Sequence, residues 1–203
     1  MSKDIGVTDL AEAVALAVEL SRRVDQPAVI ADALAMAVYG YRRETHDVDI
    51  VIPVVIGDVT GDFLEAAARD MGLMVRAKHG FGGLDLRAGD VRIDVLTLDR
   101  DVPKLVPEAV AEAAASGRRI KLFGPQVFVV SLGHLISMKL IAERKRVVVA
   151  DIVELIKARL EDGQWADDHS RVTSIVRRHL GWYAARTVDG LASTARAELG
   201  MVP

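Results

Sequence analysis

Two runs rich in valine and isoleucine constrain the fold of this chain more than any other feature, because each carries aspartates within an apolar stretch. The first run extends from Asp47 to Val55 and the second from Val91 to Leu98. β-Branched residues favour extended backbone, so both runs predict strands of a sheet. An unpaired carboxylate is costly to bury in the centre of a strand. The sequence therefore predicts a sheet whose acids have partners that offset this cost.

The apolar periodicity of the rest of the sequence predicts helices before, between and after these strands along the chain. Apolar spacing indicates helices from Asp9 to Val24, from Ala33 to Tyr39 and from Asp62 to Met71. Extended segments at 74–77 and 84–86 are followed by Ala88-Gly89-Asp90, a pattern typical of a hairpin turn. From Pro107 the pattern is mainly helical, apart from short extended segments between 119 and 130. We expect an α+β fold with a mixed sheet in residues 1–125 and a helical C-terminal half in 126–203.

Composition limits the possible chemistry. The 203 residues are 51% hydrophobic but only 4% aromatic, and cysteine is absent. This composition is typical of a globular protein and excludes a disulfide scaffold, a thiolate zinc site and a thiol nucleophile. The N-terminus lacks the basic start and apolar run of a signal peptide, and no stretch reaches the ~18 apolar residues of a membrane span. We expect a cytoplasmic protein without a membrane partner.

A net charge of −3 gives no general attraction to nucleic acid, so such contacts would need a local basic cluster. Three clusters are candidates, with solvated surface as the alternative: Arg42/Arg43, Arg118/Arg119/Lys121 and Arg144/Lys145/Arg146. The five histidines have no metal-type spacing, and Gly80-Phe81-Gly82-Gly83 lacks the Lys-Ser/Thr of a phosphate-binding Walker loop. Trp165 and Trp182 are interpreted as core anchors of the C-terminal helices, with base-stacking platforms as the alternative.

The spacing of three aspartates suggests a metal site. Asp47 and Asp49 are two residues apart at the start of a strand, so their side chains point to the same face of the sheet. Asp94, on a neighbouring strand, would complete an oxygen-ligand set of the kind that Mg²⁺ prefers. The alternative is that these acids flank a strand and face water.

The segment that contains the first acid pair resembles the first motif of the nucleotidyltransferase superfamily, in its AbiEii-like and related uncharacterised bacterial branches. That motif has a pair of small residues opening a helix, an aromatic residue or His before Gly, and then Arg-x-Thr/Ser-x-Asp-x-Asp before an apolar strand. The matching residues are Tyr39, Gly40, Arg43, Thr45, Asp47 and Asp49. A later segment, 130–140, resembles the helix of this family that carries a lysine near the nucleotide, here Lys139.

The resemblance implies that the chain transfers a nucleoside monophosphate from an NTP to a hydroxyl acceptor. Asp47 and Asp49 would hold two Mg²⁺ or Mn²⁺ ions that bridge the triphosphate. Asp94 would complete the second metal site and help to deprotonate or orient the hydroxyl. Lys139 would neutralise charge on the leaving group; its alternative is an exposed helix lysine.

Other implied roles concern the nucleotide and the partners. Thr45 would donate its hydroxyl to a phosphate or orient Asp47, and a purely local turn hydrogen bond is the alternative. Arg43 would bind the nucleotide or brace Asp47 or Asp49. The acceptor would be a tRNA end, a protein side chain or a small molecule, within a toxin–antitoxin pair whose other member would be the protein partner.

Two departures from the family pattern favour an alternative function. Asp32-Ala33 occupies the position of the family's Gly-Gly/Ser, whose backbone N–H groups hold phosphate. As an N-cap, Asp32 would occupy those N–H groups and add a negative charge to the nucleotide site. Downstream, Asp151 matches the last acid of a family motif whose Lys-Asp pair is here replaced by Val147-Val148. Asp151 would be either a catalytic residue or a charge at the N-terminus of a helix. The alternative function is a non-catalytic binding or regulatory protein with a nucleotidyltransferase fold.

Overall fold

Two structural units make up the chain. The computed structural model describes residues 7–55, 57–77, 83–97, 101–142 and 146–201, without the side chains of 7–9, 77 and 146–148. The first unit consists of residues 1–34 and 44–130, and the second of residues 35–43 and 131–203. The segment 35–43 therefore leaves the first unit and joins the second before the chain returns.

The first unit is built on a seven-stranded mixed sheet. Its strands are β1 (Val29–Ile30), β2 (Val48–Val51), β3 (Met74–Ala77), β4 (Gly83–Ala88), β5 (Val91–Leu96), β6 (Arg119–Lys121) and β7 (Gln126–Val129). They lie in the order β3-β4-β5-β2-β1-β7-β6. The β2–β5 and β1–β7 pairs are parallel, and the other pairs are antiparallel. The hairpin predicted at Ala88-Gly89-Asp90 is confirmed, with Gly89 in the left-handed region at φ 60°.

Helices pack against this sheet, and their apolar residues form the core of the unit together with those of the strands. The helices that begin in the first unit are α1 (Val7–Arg23), α2 (Asp32–Val38), α3 (Val59–Asp70) and α4 (Leu105–Ala115). Helix α1 contacts β2 and β5 and contributes fully buried residues such as Val14 and Leu20 to the same apolar cluster as Ile50 and Ile93. At about 25 cal/mol per Å² of buried apolar surface, this cluster is the main stabilising contribution to the unit. It fixes the strands that carry the aspartates.

Strand β2 is shorter than the sequence predicts. The prediction extended it to Val55, but it ends at Val51. Proline at position 53 lacks an N–H and cannot continue the ladder, although the Ile52 N–H still donates to Leu96 O at 2.9 Å. The apolar composition beyond Val51 reflects burial of Ile52 and Val54 and not strand pairing.

The second unit is helical. It contains the end of α2 and helices α5 (Leu132–Ile141), α6 (Arg146–Glu161) and α7 (Trp165–Glu198). Gly133 of α5 allows close approach to α7, because a Cβ built there would lie 2.6 Å from Ile175 Cδ1. Helix α7 is interrupted at Gly181, whose φ of 85° and ψ of 178° are not helical. The α+β class, the mixed sheet and the helical C-terminal region predicted from the sequence are thus confirmed.

The two tryptophans have different environments. Trp165 is only 1% exposed, as predicted for a core anchor, whereas Trp182 is 60% exposed, so the prediction for Trp182 is wrong. The break at Gly181 explains the difference, because the helical apolar periodicity before the break does not continue in phase beyond it.

Some sequence features lie outside the described residues, namely 80–82 of the glycine-rich segment and Arg144/Lys145 of the third basic cluster. Among the described helices, none combines the length and apolarity needed to cross a bilayer.

Candidate active site

Strand register brings acidic residues from three neighbouring strands into one row. Asp49 on β2 is the Cα partner of Asp94 on β5, and Asp94 is in turn the partner of Asp85 on β4. Directly opposed residues on neighbouring strands point to the same face of a sheet. Asp47 precedes Asp49 by two residues and so belongs to the same side. We call Asp47, Asp49, Asp85 and Asp94 the acidic cluster.

Arg92 lies among three members of the acidic cluster. Its Nη1 is 3.6 Å from Asp47 Oδ2, its Nε is 3.8 Å from Asp85 Oδ1, and its Nη2 donates to Asp94 Oδ2 at 3.2 Å. Asp49 and Asp94 are 8% and 5% exposed, so water screens their charges poorly. Arg92 therefore links carboxylates of different strands that would otherwise repel one another.

A second arginine neutralises Asp85. Arg87 Nε and Nη2 donate to Asp85 Oδ1 and Oδ2 at 3.1 and 3.0 Å, a bidentate pair on β4. The hydrogen bond to Asp85 raises the pKa of Arg87 above its ordinary value. With every group ionised, four carboxylates and two guanidinium groups leave a formal excess of two negative charges, which a single divalent cation would neutralise.

Thr45 holds the first aspartate of the pair. Its hydroxyl donates to Asp47 Oδ1 at 2.9 Å and also lies 3.2 Å from Asp47 O. This geometry is compatible with two of the roles considered for Thr45, orienting Asp47 and a local turn hydrogen bond. The orientation matters because Asp47 lies just before β2, outside the ladder that fixes Asp49.

The start of α2 lies beside the acidic cluster. Strand β1 is antiparallel to β2, and beyond it the Ala31 N–H donates to Asp49 O at 2.9 Å. Asp32 and Ala33 follow immediately, and Asp32 has a φ of 41°, in the left-handed region that favours glycine. An N-cap residue has extended backbone, so the prediction that Asp32 is an ordinary N-cap is wrong. Asp32 is instead the first residue of α2, with a backbone conformation that glycine adopts more readily than other residues.

Lys139 and Arg43 belong to the second unit, where both contact Asp151. Lys139 Nζ donates to Asp151 Oδ2 at 2.8 Å, and Arg43 Nε lies 3.5 Å from the same oxygen. Both Lys139 and Asp151 are buried, so the reading of Lys139 as an exposed helix lysine is wrong. Asp151 is the sixth residue of α6, so its interpretation as a helix N-terminal charge is also wrong.

The same charges influence Tyr41. Burial, followed by the nearby carboxylates of Asp151 and Glu154, raises the pKa of Tyr41 above its ordinary value. Tyr41 therefore stays neutral at physiological pH. Segment 35–43 is thus linked to α5 and α6 through the buried carboxylate of Asp151.

The sequence analysis did not identify Asp85, Arg87 or Arg92. A signal was present, because a two-residue turn at Gly89-Asp90 places Asp85 opposite Asp94 and Arg87 opposite Arg92. Counting outward from the predicted hairpin would have found both pairs. The cross-strand contact from Arg92 to Asp47 depends on the parallel pairing of β2 with β5, which no local pattern predicts.

The acidic cluster suits a hard divalent cation. Its donors are carboxylate oxygens, and Asp49 and Asp94 hold two of them at low exposure on adjacent strands. Mg²⁺ and Mn²⁺ prefer such oxygen donors. Arg92 would compete with the cation for the same carboxylates, so binding of a metal ion requires some displacement of the guanidinium group.

No protein-family model matches the sequence, and no curated protein matches it. The solution structure of the antibiotic-resistance factor ANT(2'')-Ia is similar with 19% identity over 95% of this chain and 94% of that chain, at a TM-score of 0.46. The crystal structure of ANT(2'')-Ia in complex with adenylyl-2''-tobramycin gives 21% identity, 94% and 97% coverage and a TM-score of 0.44. A tRNA nucleotidyltransferase complexed with a primer tRNA and an incoming ATP analog gives 15% identity, 89% and 60% coverage and a TM-score of 0.37.

Proposed function

We propose that this protein is a metal-dependent nucleotidyltransferase that moves a nucleoside monophosphate from an NTP to a hydroxyl acceptor. The observation that carries the proposal is the alignment of Asp49 with Asp94 on parallel strands, with Asp47 beside them. This arrangement agrees with the resemblance of residues 32–52 to the first nucleotidyltransferase motif. Mg²⁺ or Mn²⁺ would supply Lewis-acid stabilisation of the triphosphate when bound.

In this proposal the acceptor oxygen forms a bond to the α-phosphorus while the bond from that phosphorus to the pyrophosphate oxygen breaks. Asp94 orients the acceptor hydroxyl and accepts its proton, and pyrophosphate leaves on the opposite side. Asp47, held by Thr45, and Asp49 provide the metal-binding oxygens. Arg92, the counter-cation of these acids, would give up part of its contacts with them where a metal ion is held.

Lys139 keeps a proposed role in neutralising the leaving pyrophosphate, and Arg43 keeps one in binding the nucleotide. An ammonium group carries three N–H donors, so the hydrogen bond of Lys139 to Asp151 is compatible with a phosphate contact. Both cations share Asp151 Oδ2, and we therefore propose that Asp151 positions them. The acceptor classes are a tRNA end, a protein side chain or a small molecule, and the protein partner would be the other member of a toxin–antitoxin pair.

The direct test is transfer of label from each α-labelled NTP to cell-lysate components with Mg²⁺ or Mn²⁺. The Asp47→Asn/Asp49→Asn variant should lose about 10²–10³-fold or more in rate, because loss of metal-assisted stabilisation costs several kcal/mol. Asp90→Asn is the matched control, since Asp90 is an exposed aspartate in the adjacent hairpin turn. Equal labelling by the double variant and the wild type would refute the proposal.

A second candidate function is nucleotide-independent binding or regulation by a non-catalytic member of the same fold. The observation that favours it is Asp32, which adds a negative charge at the start of α2, one residue after the Ala31 N–H that donates to Asp49 O. Thermal-shift measurements with each NTP, with and without Mg²⁺ or Mn²⁺, separate the two functions. A bound NTP at 100 times its Kd should stabilise the fold by about 2.7 kcal/mol. A melting temperature unchanged by every nucleotide would favour the second candidate.

A further inference from the structure

Helix α7 carries two neighbouring aromatic residues on its solvent-exposed surface. Trp182 is 60% exposed and Tyr183 is 82% exposed, directly after the interruption at Gly181. Leaving an aromatic side chain in water forgoes roughly 1.5–3 kcal/mol of burial free energy. Exposure of both at one place, in a chain with only 4% aromatic residues, indicates a surface that another molecule covers.

The charge around this aromatic pair is positive. Between Asp168 and Asp189 the chain has four arginines and no acidic residue, although its net charge is −3. Arg177, Arg178 and Arg186 are exposed on either side of the pair. We call Arg177, Arg178, Trp182, Tyr183 and Arg186 the aromatic–arginine surface.

One arginine is already stacked on an aromatic ring. The Arg186 guanidinium carbon lies 4.9 Å from the centroid of the Trp182 ring, a cation–π arrangement. Stacking restricts both side chains, so less conformational entropy remains to be lost when a ligand binds. The stacked pair offers an aromatic surface and guanidinium donors side by side.

We propose that the aromatic–arginine surface binds single-stranded nucleic acid. Arginine guanidinium groups donate to phosphate oxygens, and unpaired bases stack on exposed Trp and Tyr rings. A duplex keeps its bases stacked on one another and so cannot use the two rings in this way. The inference goes beyond the proposed function and does not depend on it, because this binding uses none of the residues of the acidic cluster.

The aromatic component distinguishes this occupant from an acidic protein segment. An acidic peptide would pair with the arginines but has no planar groups to stack on Trp182 and Tyr183. A second copy of this chain would bring another positive surface of the same kind, so like charges would oppose its docking here. Single-stranded nucleic acid satisfies both the charge and the exposed rings.

The test measures fluorescence anisotropy of labelled 12-nucleotide single strands of RNA and DNA, and of a duplex of the same length, with the full chain. The wild type should bind the single strands with an affinity that falls as salt increases, and should bind the duplex more weakly. Trp182→Ala and Tyr183→Ala should each weaken single-strand binding about 5- to 100-fold, the range for loss of a base–aromatic stack. Arg186→Gln should weaken it and reduce the salt dependence.

Two matched controls carry the same changes elsewhere. Phe63→Ala removes another exposed aromatic side chain, and Arg69→Gln removes an exposed arginine that lies in none of the three basic clusters. Both should bind like the wild type, and unchanged circular dichroism should verify that each variant folds. Equal binding by Trp182→Ala and the wild type would overturn the proposal. Equal competition by poly-glutamate, or a dimer that the Trp182→Ala change dissociates, would also overturn it.

Discussion

The two charged clusters of this chain balance their charges differently. In the acidic cluster of the first unit, four carboxylates face two arginines, and Arg92 divides its contacts among three of them at 3.2–3.8 Å. In the second unit, a single carboxylate, Asp151, receives a 2.8 Å hydrogen bond from Lys139 and a 3.5 Å contact from Arg43. The first cluster has excess negative charge, and the second has a carboxylate with two cations.

This difference in charge balance suggests different roles for the two clusters, namely ligand binding for the first and positioning of chain segments for the second. Like charges gathered on adjacent strands destabilise the fold unless cations offset their repulsion, and Arg92 and Arg87 leave part of this repulsion uncompensated. A buried carboxylate that is fully paired has little attraction left for a cation and is better suited to hold segments of chain in place. We therefore propose metal binding for the acidic cluster and a positioning role for Asp151.

The largest expected effect tests the positioning role. Lys139→Met leaves Asp151 buried with Arg43 as its remaining partner and should lower the free energy of unfolding by about 3–5 kcal/mol, measured by urea denaturation. Lys139→Met/Asp151→Leu should recover much of that loss, because no unpaired buried charge then remains.

The control for this prediction is Lys157→Met on α6, whose lysine pairs with Glu154 and Glu198 in ion pairs open to solvent. It should change the unfolding free energy far less, since exposed pairs contribute little. Equal stability of the two lysine variants would contradict a structural role for the buried ion pair of Lys139 with Asp151.

An effect of intermediate size, on metal affinity, tests the competition between Arg92 and a divalent cation for the carboxylates. Arg92→Gln should tighten Mn²⁺ binding about tenfold, because it removes a positive charge within 4 Å of three carboxylates. Partial exposure of Arg92 keeps the effect at this modest size. The same variant should lower the melting temperature in the presence of a chelator. Calorimetric titration with Mn²⁺ and thermal unfolding measure the two effects.

Arg87→Gln is the matched variant, since Arg87 lies opposite Arg92 and forms its bidentate pair with Asp85. We expect a smaller gain in Mn²⁺ affinity from it. Equal gains from both variants would mean that general charge, and not the central location of Arg92, governs metal affinity.

The smallest expected effect concerns Asp32. Asp32→Asn removes the charge and keeps a side chain that tolerates φ of 41°, whereas Asp32→Gly also relieves the left-handed strain. Both should raise affinity for a non-hydrolysable NTP several-fold in the presence of Mg²⁺. Melting temperatures should stay within a few degrees, because relief of strain is offset by the backbone entropy of glycine. Unchanged affinity in both variants would separate Asp32 from the nucleotide site.

Local patterns were sufficient for much of the fold. The β-branched runs predicted β2 and β5, and the Gly89-Asp90 turn predicted β4 as the hairpin partner of β5, since strand propensity and turn chemistry depend on adjacent residues. Trp182 failed as a core prediction because burial depends on helix phase, and the interruption at Gly181 changes that phase.

By itself, the sequence determined the order of most helices and strands, although not β1, and the two-residue spacing that gives Asp47 and Asp49 a common face. Only the tertiary structure decided that β2 pairs in parallel with β5, that Arg92 reaches the acids of three strands, and that Lys139 is buried against Asp151. The physical reason is range. Backbone propensities act between neighbouring residues, whereas strand pairing and buried ion pairs join residues distant in sequence, and the packing of the whole core selects their partners.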